Sequence, residues 1–95
     1  MRMGRVVGSV VATRKDPSLV GVKLLVVENL SPEMRAEGSY VVAVDAVGAG
    51  ASEVVLYASG SSARQTPTTK DRPVDAVIMA IVDSFEAKGK NVRLA

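Results

Sequence analysis

The chain has 95 residues, 47 % of them hydrophobic, and a net charge of +2. It contains no cysteine and no histidine, so disulfides and the common zinc sites are not expected, and the usual thiol nucleophile and general base of catalysis are missing. One domain over 1–95 is expected at this length; it hides only about 60–65 % of its unfolded surface, which leaves self-association as the common route to stability.

Met3 to Thr13 alternates, with Gly4, Val6, Gly8, Val10 and Ala12 on one side and Met3, Arg5, Val7, Ser9 and Val11 on the other. A period of two with β-branched residues is a strand. Gly4 and Gly8 inside it mark tight bends or close backbone approach, as barrel closure requires. Arg14 to Gly21 is a loop, with turn chemistry at Asp16-Pro17-Ser18. Lys23 to Glu28 is a second strand. Ser31 to Gly38 is a polar connection, in which Ser31 as N-cap and Pro32 at the first helical position start one helical turn that Gly38 ends.

Tyr40 to Val47 is a third strand, Gly48 to Ser52 a tight turn, and Glu53 to Ala58 a fourth strand. Gly60 to Arg72 has few apolar residues and reads as an exposed, mobile loop. In Pro73 to Phe85, residues Val77, Ile78, Ile81, Val82 and Phe85 fit a helical stripe. The run is nevertheless rich in Val and Ile, starts at Pro73 and leads into Lys88-Gly89-Lys90-Asn91, which is turn-like. The reading that satisfies both is a short helical turn at Pro73–Ala76, a strand from about Val77 to Phe85, and a last strand at Val92–Leu94. Short strands with glycine bends and no long helix make an all-β chain: a small five-stranded OB-like β-barrel with a short helical turn and a C-terminal hairpin.

The charges are unevenly placed. Residues 1–30 hold Arg2, Arg5, Arg14, Lys15 and Lys23 against Asp16 and Glu28, whereas residues 31–60 hold Glu33, Glu37, Asp45 and Glu53 against Arg35. Such segments can pair within a subunit, across a subunit contact, or stand as a mixed solvated surface. No apolar run reaches the length of a membrane span, and no apolar leader follows Arg2, so the chain reads as cytoplasmic.

Three function classes follow. For an enzyme, Ser61 and Ser62 have Arg64 nearby but no evident base, and Asp45, Glu53, Asp75 and Asp83 fit turns and ion pairs as well as catalysis. The glycines of Gly48-Ala49-Gly50 and Gly60-Ser61-Ser62 offer N–H groups, yet a phosphate cradle opens a helix with a lysine in place, and neither turn does so. For a single-stranded nucleic-acid-binding protein, an OB-like barrel is the right scaffold, but stacking over a basic groove needs more than Tyr40, Tyr57 and Phe85 and a net charge of +2. For assembly, a small-residue turn ending in Glu53 and another ending in Arg64 suit convergence about a symmetry axis. One charge per copy can pair with the next copy, head to tail.

The third class gains weight from a resemblance. Ala12-Thr13-Arg14-Lys15-Asp16-Pro17-Ser18-Leu19, Val44-Asp45-Ala46-Val47-Gly48-Ala49-Gly50, Glu53-Val54-Val55-Leu56, Gly60-Ser61-Ser62-Ala63-Arg64-Gln65, Pro73-Val74-Asp75-Ala76 and Ile81-Val82-Asp83, in this order and spacing, resemble the EutN/CcmL family. These are the pentameric vertex proteins of bacterial microcompartment shells. The resemblance implies an OB-like barrel in a homopentamer that caps the vertices of a polyhedral shell beside hexameric shell proteins. It implies a structural role without enzyme activity, cofactor, metal, nucleic acid or membrane. It places Gly60, Ser61 and Ser62 near an axial pore and Lys15, Glu53, Arg64 and Asp83 at subunit contacts; the alternative for those four is stabilisation of their own turns. Many members carry a glycine directly before the glutamate, where this chain has Ser52.

Overall fold

The computed structural model describes residues 1–94. Its strands are β1 (Arg2–Val10), β2 (Leu24–Leu30), β3 (Ala36–Asp45), β4 (Val54–Ser59), β5 (Ala76–Ile81), β6 (Ser84–Ala87) and β7 (Lys90–Arg93). The first five close a barrel in the order β1-β2-β3-β5-β4, and β6 and β7 form a separate hairpin. The helical content consists of short 3-10 turns at Pro17–Leu19 and Gly60–Arg64. This is the expected all-β architecture.

β1, β2 and β3 form an antiparallel meander, pairing Val6 with Val27 and Val27 with Val41. β4 then runs antiparallel to both β1 and β5. The barrel is completed by a parallel contact of β3 with β5, Val44 opposite Val77 and Asp45 opposite Ile78. Parallel neighbours cannot be joined by a tight hairpin; here residues 46–75, which include β4, run between them.

Alternation sorts the apolar side chains. Val6, Leu25, Val27, Ala43, Val55, Tyr57 and Ile78 fill the barrel. Their strand neighbours Val44, Ala58 and Val77 point outward and are buried with Ala63, Val22, Leu24 and Val74, beneath the segment that follows β4. Strands covered on both faces read as continuous apolar runs, and this accounts for Ala43-Val44 and Ala76-Val77-Ile78, all of them buried. Inside, Tyr57 Oη donates to Asn29 Oδ1, and Asn29 Nδ2 donates to Ser39 Oγ at 2.9 Å.

Several local expectations need correction. The first strand stops at Val10 rather than Thr13. Ser31–Gly38 is not helical: it holds a hairpin loop, and β3 begins at Ala36, opposite Leu30. Ser31 does cap, since its Oγ accepts the N–H groups of Glu33 and Arg35, both at 3.2 Å, but it caps a reversal in which Ser31 N donates to Arg35 O at 2.9 Å. The gain from pairing two apolar strands outweighs a single isolated helical turn, which is unfavourable on its own. Likewise Pro73–Ala76 is not a helical turn; the helical turn lies at Gly60–Arg64. The strand expected over Val77–Phe85 is cut at Val82–Asp83. Val82 N still donates to Val54 O (2.8 Å), then the chain leaves the barrel, and Leu94 N donates to Asp83 O (2.7 Å) to close the hairpin's base.

The segment Gly60–Arg72 is folded on itself rather than loose. Thr69 is fully buried. Its Oγ1 donates to Ala63 O at 2.5 Å and lies 2.7 Å from Thr66 Oγ1, while Thr69 N donates to Thr66 Oγ1 at 3.1 Å. Arg72 Nη1 reaches Ser18 O (2.7 Å) and Val20 O (3.1 Å), tying this segment to the first loop.

Candidate assembly surfaces

The glycine-rich turn is held by two carboxylates. Asp45 Oδ1 accepts the N–H groups of Val47, Gly48 and Ala49 at 3.1, 3.0 and 3.1 Å. Glu53 Oε1 accepts Gly50 N–H at 2.6 Å. Ser52 sits between them at φ +66°, the left-handed region that suits glycine. It is fixed there by Ser52 N donating to Val6 O (2.8 Å) and by Arg5 Nη1 donating to Ser52 O (2.8 Å). The turn thus keeps a glycine-like conformation although it has a serine.

Glu53 and Asp83 share one groove. It has a volume of about 240 Å³ and is lined by Arg5, Ser52, Glu53, Ile81, Asp83 and Leu94 among others. Asp83 is exposed, and among the described residues its carboxylate carries no ion pair. The two cations lie elsewhere. Lys15 borders a cleft with Val10, Val11 and Leu19, its Nζ donating to Ala12 O at 2.8 Å. Arg64 borders another with Gln65, Pro67 and Lys70, its Nη1 donating to Val74 O at 3.3 Å. The structure therefore brings the two anions together and keeps both cations apart from them.

Gly60, Ser61 and Ser62 are exposed and open the 3-10 turn after β4. Gly60 has φ +68°, and its N–H donates to Asp75 O at 2.8 Å. Ser62 Oγ donates to Ser59 O at 2.8 Å. These residues and Glu53 stand at opposite ends of β4, roughly 20 Å apart at the rise of an extended strand.

A further surface escaped the sequence reading. The outer face of β2 and β3 is covered at Leu24 and Val44 but open further along. Tyr40 is 61 % exposed, Val42 48 % and Val7 47 %, with Val26 opposite Val42. Val7 is the extra residue of a bulge, where the register shifts between Val6 and Gly8. The signal was present: Tyr40-Val41-Val42-Ala43-Val44 has no polar face, so one apolar side needs a second cover.

Two ion pairs link distant segments at the surface: Arg2 with Glu37, and Lys88 Nζ with Glu33 Oε1 at 2.5 Å. The hydrogen bond from Lys88 holds the Glu33 carboxyl below its usual range, and the same bond raises Lys88. Asp16 is also lowered, by the Ser18 hydroxyl and then the Ser18 N–H, which it accepts at 2.6 and 3.0 Å.

Residues 1–83 match the family model described as ethanolamine utilisation protein EutN/carboxysome. The chain belongs to the EutN/CcmL family. Its relatives in that family include the carboxysome shell vertex protein CcmL of Synechococcus elongatus, 47 % identical over 92 residues, covering 97 % of this chain and 93 % of CcmL. The microcompartment shell vertex protein GrpN of Rhodospirillum rubrum is 46 % identical over 86 residues, 90 % of this chain and 97 % of GrpN. Among solved EutN/CcmL structures, CcmL of Nostoc sp. PCC 7120 superposes with a TM-score of 0.92 at 44 % identity, covering 98 % of both chains. The pentameric microcompartment shell protein GrpN gives 0.85 at 46 % identity, over 92 % of this chain and 99 % of GrpN. The family match ends at Asp83, the last residue before β6.

Proposed function

We propose that this chain is a structural shell protein, five copies of which close a ring that caps the vertices of a polyhedral bacterial microcompartment. The observation that carries the reading is the near end-to-end likeness to a pentameric microcompartment shell protein, at 46 % identity and a TM-score of 0.85. The role is geometric. Flat hexagonal sheets cannot close, and pentamers beside hexameric shell proteins supply the curvature. The protein works in the cytoplasm as part of the shell, without catalysis, cofactor, nucleic acid or membrane.

Within the ring, the groove that holds Glu53 and Asp83 receives a cation of the next copy, with Lys15 and Arg64 as the candidates. Absence of an anion–cation pair among these four within one chain supports contacts of a head-to-tail kind. Gly60, Ser61 and Ser62 approach the five-fold axis, where small side chains let five loops converge. The single-strand-binding alternative gains nothing from the surface: Tyr57 is buried and Phe85 half-buried, which leaves Tyr40 as the exposed aromatic.

Native mass spectrometry tests the proposal. A dominant species at five times the 9.9 kDa subunit mass, and incorporation into shells with hexameric shell proteins, are the expected results. A monomer, dimer or hexamer as the stable species would overturn it.

A further inference from the structure

The loop between β1 and β2 holds itself together by local bonds. Lys15 Nζ donates to Ala12 O, and the N–H and hydroxyl of Ser18 donate to Asp16 Oδ1. Leu19 N donates to Asp16 O, Val20 N to Pro17 O and Val22 N to Leu19 O. None of these reaches further than three residues along the chain. Among the described residues, the hydrogen bonds that reach residues 11–22 from elsewhere both come from Arg72. Its Nη1 donates to Ser18 O at 2.7 Å and to Val20 O at 3.1 Å.

The loop between β4 and β5 is a knot. Gly60 N donates to Asp75 O, Arg64 Nη1 to Val74 O, and the buried Thr69 Oγ1 to Ala63 O. Arg72 is rooted in this knot, since Arg72 N donates to Thr69 O at 3.0 Å. Asp71, at φ +60°, turns the chain between them. One continuous path therefore runs from Asp16 through Ser18, Arg72 and Thr69 to Ala63, the buried residue of the 3-10 turn Gly60–Arg64. Arg72 is half-buried, and hydrogen bonds from an ionised donor are roughly twice as strong as neutral ones.

We infer that Arg72 is a relay that makes the two loops one cooperative unit, so that a change at Asp16–Val20 is felt at Gly60–Arg64. Segments of a folded chain open as units set by such shared bonds. Here the two arrangements are Arg72 seated on both carbonyls and Arg72 released. Release frees the first loop from its outside hydrogen bonds and loosens the knot through Thr69. The relay acts within one chain and does not depend on the ring. On the ring reading above, it connects the exposed residues Arg14–Pro17 to a turn near the five-fold axis.

Hydrogen exchange of the full-length protein, read by mass spectrometry, tests the relay in four forms: wild type, Arg72→Met, Asp16→Ala and the double variant. Arg72→Met should speed exchange over residues 17–22 and over residues 60–74 alike, by about tenfold or more, while residues 25–28 of β2 stay protected. Asp16→Ala should speed exchange at 60–74 by about threefold when Arg72 is present, and should add nothing there in the Arg72→Met background. That non-additivity is the signature of coupling through Arg72. A folded Arg72→Met protein that changes in one loop only, or equally in both loops and β2, overturns the relay. So does an effect of Asp16→Ala confined to its own loop. Where Arg72→Met does not fold, Asp16→Ala alone decides, because Asp16 is exposed: spread to residues 60–74 supports the relay and confinement overturns it. Native mass spectrometry of the same samples reads the ring separately, so failure of the relay and failure of the ring are told apart.

Discussion

A β-carbon on Gly4 would stand 2.8 Å from the carbonyl oxygen of Glu28 and closer still to Cγ1 of Val27. β1 and β2 approach here as only glycine permits. At Gly8 the same construction meets Val26 Cβ at 3.8 Å, an ordinary contact. Gly4→Ala should therefore destabilise the protein by about 1–3 kcal/mol through overpacking, while Gly8→Ala should be close to neutral. Denaturant midpoints at one fixed protein concentration measure both; equal effects would contradict the packing described.

Ser52 holds a left-handed conformation that costs an L-residue about 1–2 kcal/mol. Ser52→Gly removes the strain and returns part of the gain as unfolded-chain entropy. The expected net change is about 1 kcal/mol of added stability. Ser52→Val should lose stability, since a β-branched residue is least suited to positive φ. Thermal unfolding of the two variants should move in opposite directions.

Thr69→Val removes the donor to the Ala63 carbonyl and the partner of Thr66. A buried acceptor left unpaired costs about 1–3 kcal/mol. The segment 60–72 should then be cut more readily by protease, with the cleavage sites mapped by mass. Thr68 is exposed, and Thr68→Val should leave both stability and cleavage unchanged.

The tip of the hairpin should respond to pH at both ends of the range. Glu33 is lowered by its hydrogen bond from Lys88, so the contribution of the pair is present above the usual carboxylate pKa and is lost as pH falls through the lowered value. Lys88 is raised, so its share is complete below the usual lysine pKa and is lost as pH rises through the raised value. Both groups are exposed, and added salt should weaken the contact. NMR titration of the Glu33 carboxyl in wild type and in Lys88→Ala should show the pKa returning upward in the variant.

Asp83→Arg and Arg64→Glu should each shift native mass spectra toward species smaller than five subunits. Both side chains are exposed, so the circular dichroism of the barrel should remain. Glu53→Arg should do the same and also loosen the turn, because its carboxylate holds the Gly50 N–H. Intact pentamers from all three would remove these residues from the subunit contacts.

Strands were legible wherever apolar alternation or a continuous β-branched run lay between turn residues, as at Lys23–Glu28 and Glu53–Ala58. Their ends were less so. Val11, Ala12 and Thr13 continue the pattern of β1 but have no partner strand, and pattern alone does not reveal that. Ser31 and Pro32 carry a helix-start signal, yet Leu30 and Ala36 are positioned to pair, and tertiary pairing prevails over one turn of local preference. Thr66 and Thr69 looked like surface residues because their burial depends on a mutual hydroxyl contact that no periodicity encodes. Of the candidate site, the Glu53–Asp83 groove joins residues thirty positions apart, and only the β4–β5 pairing brings them together. The turn role of Glu53 was visible as an alternative from its place after Gly48-Ala49-Gly50.

The contact of β3 with β5 spans two residue pairs, the shortest seam in the barrel. It also joins positions more than thirty residues apart, whereas the β1–β2–β3 meander closes by local turns. Local pairings form early and distant ones late, so the meander should be in place before this seam zips. Until then β3 and β5 present unpaired edges to other chains, the situation that leads to strand exchange between copies. Where copies of the chain meet, so short a seam is a place where correct closure and domain swapping compete.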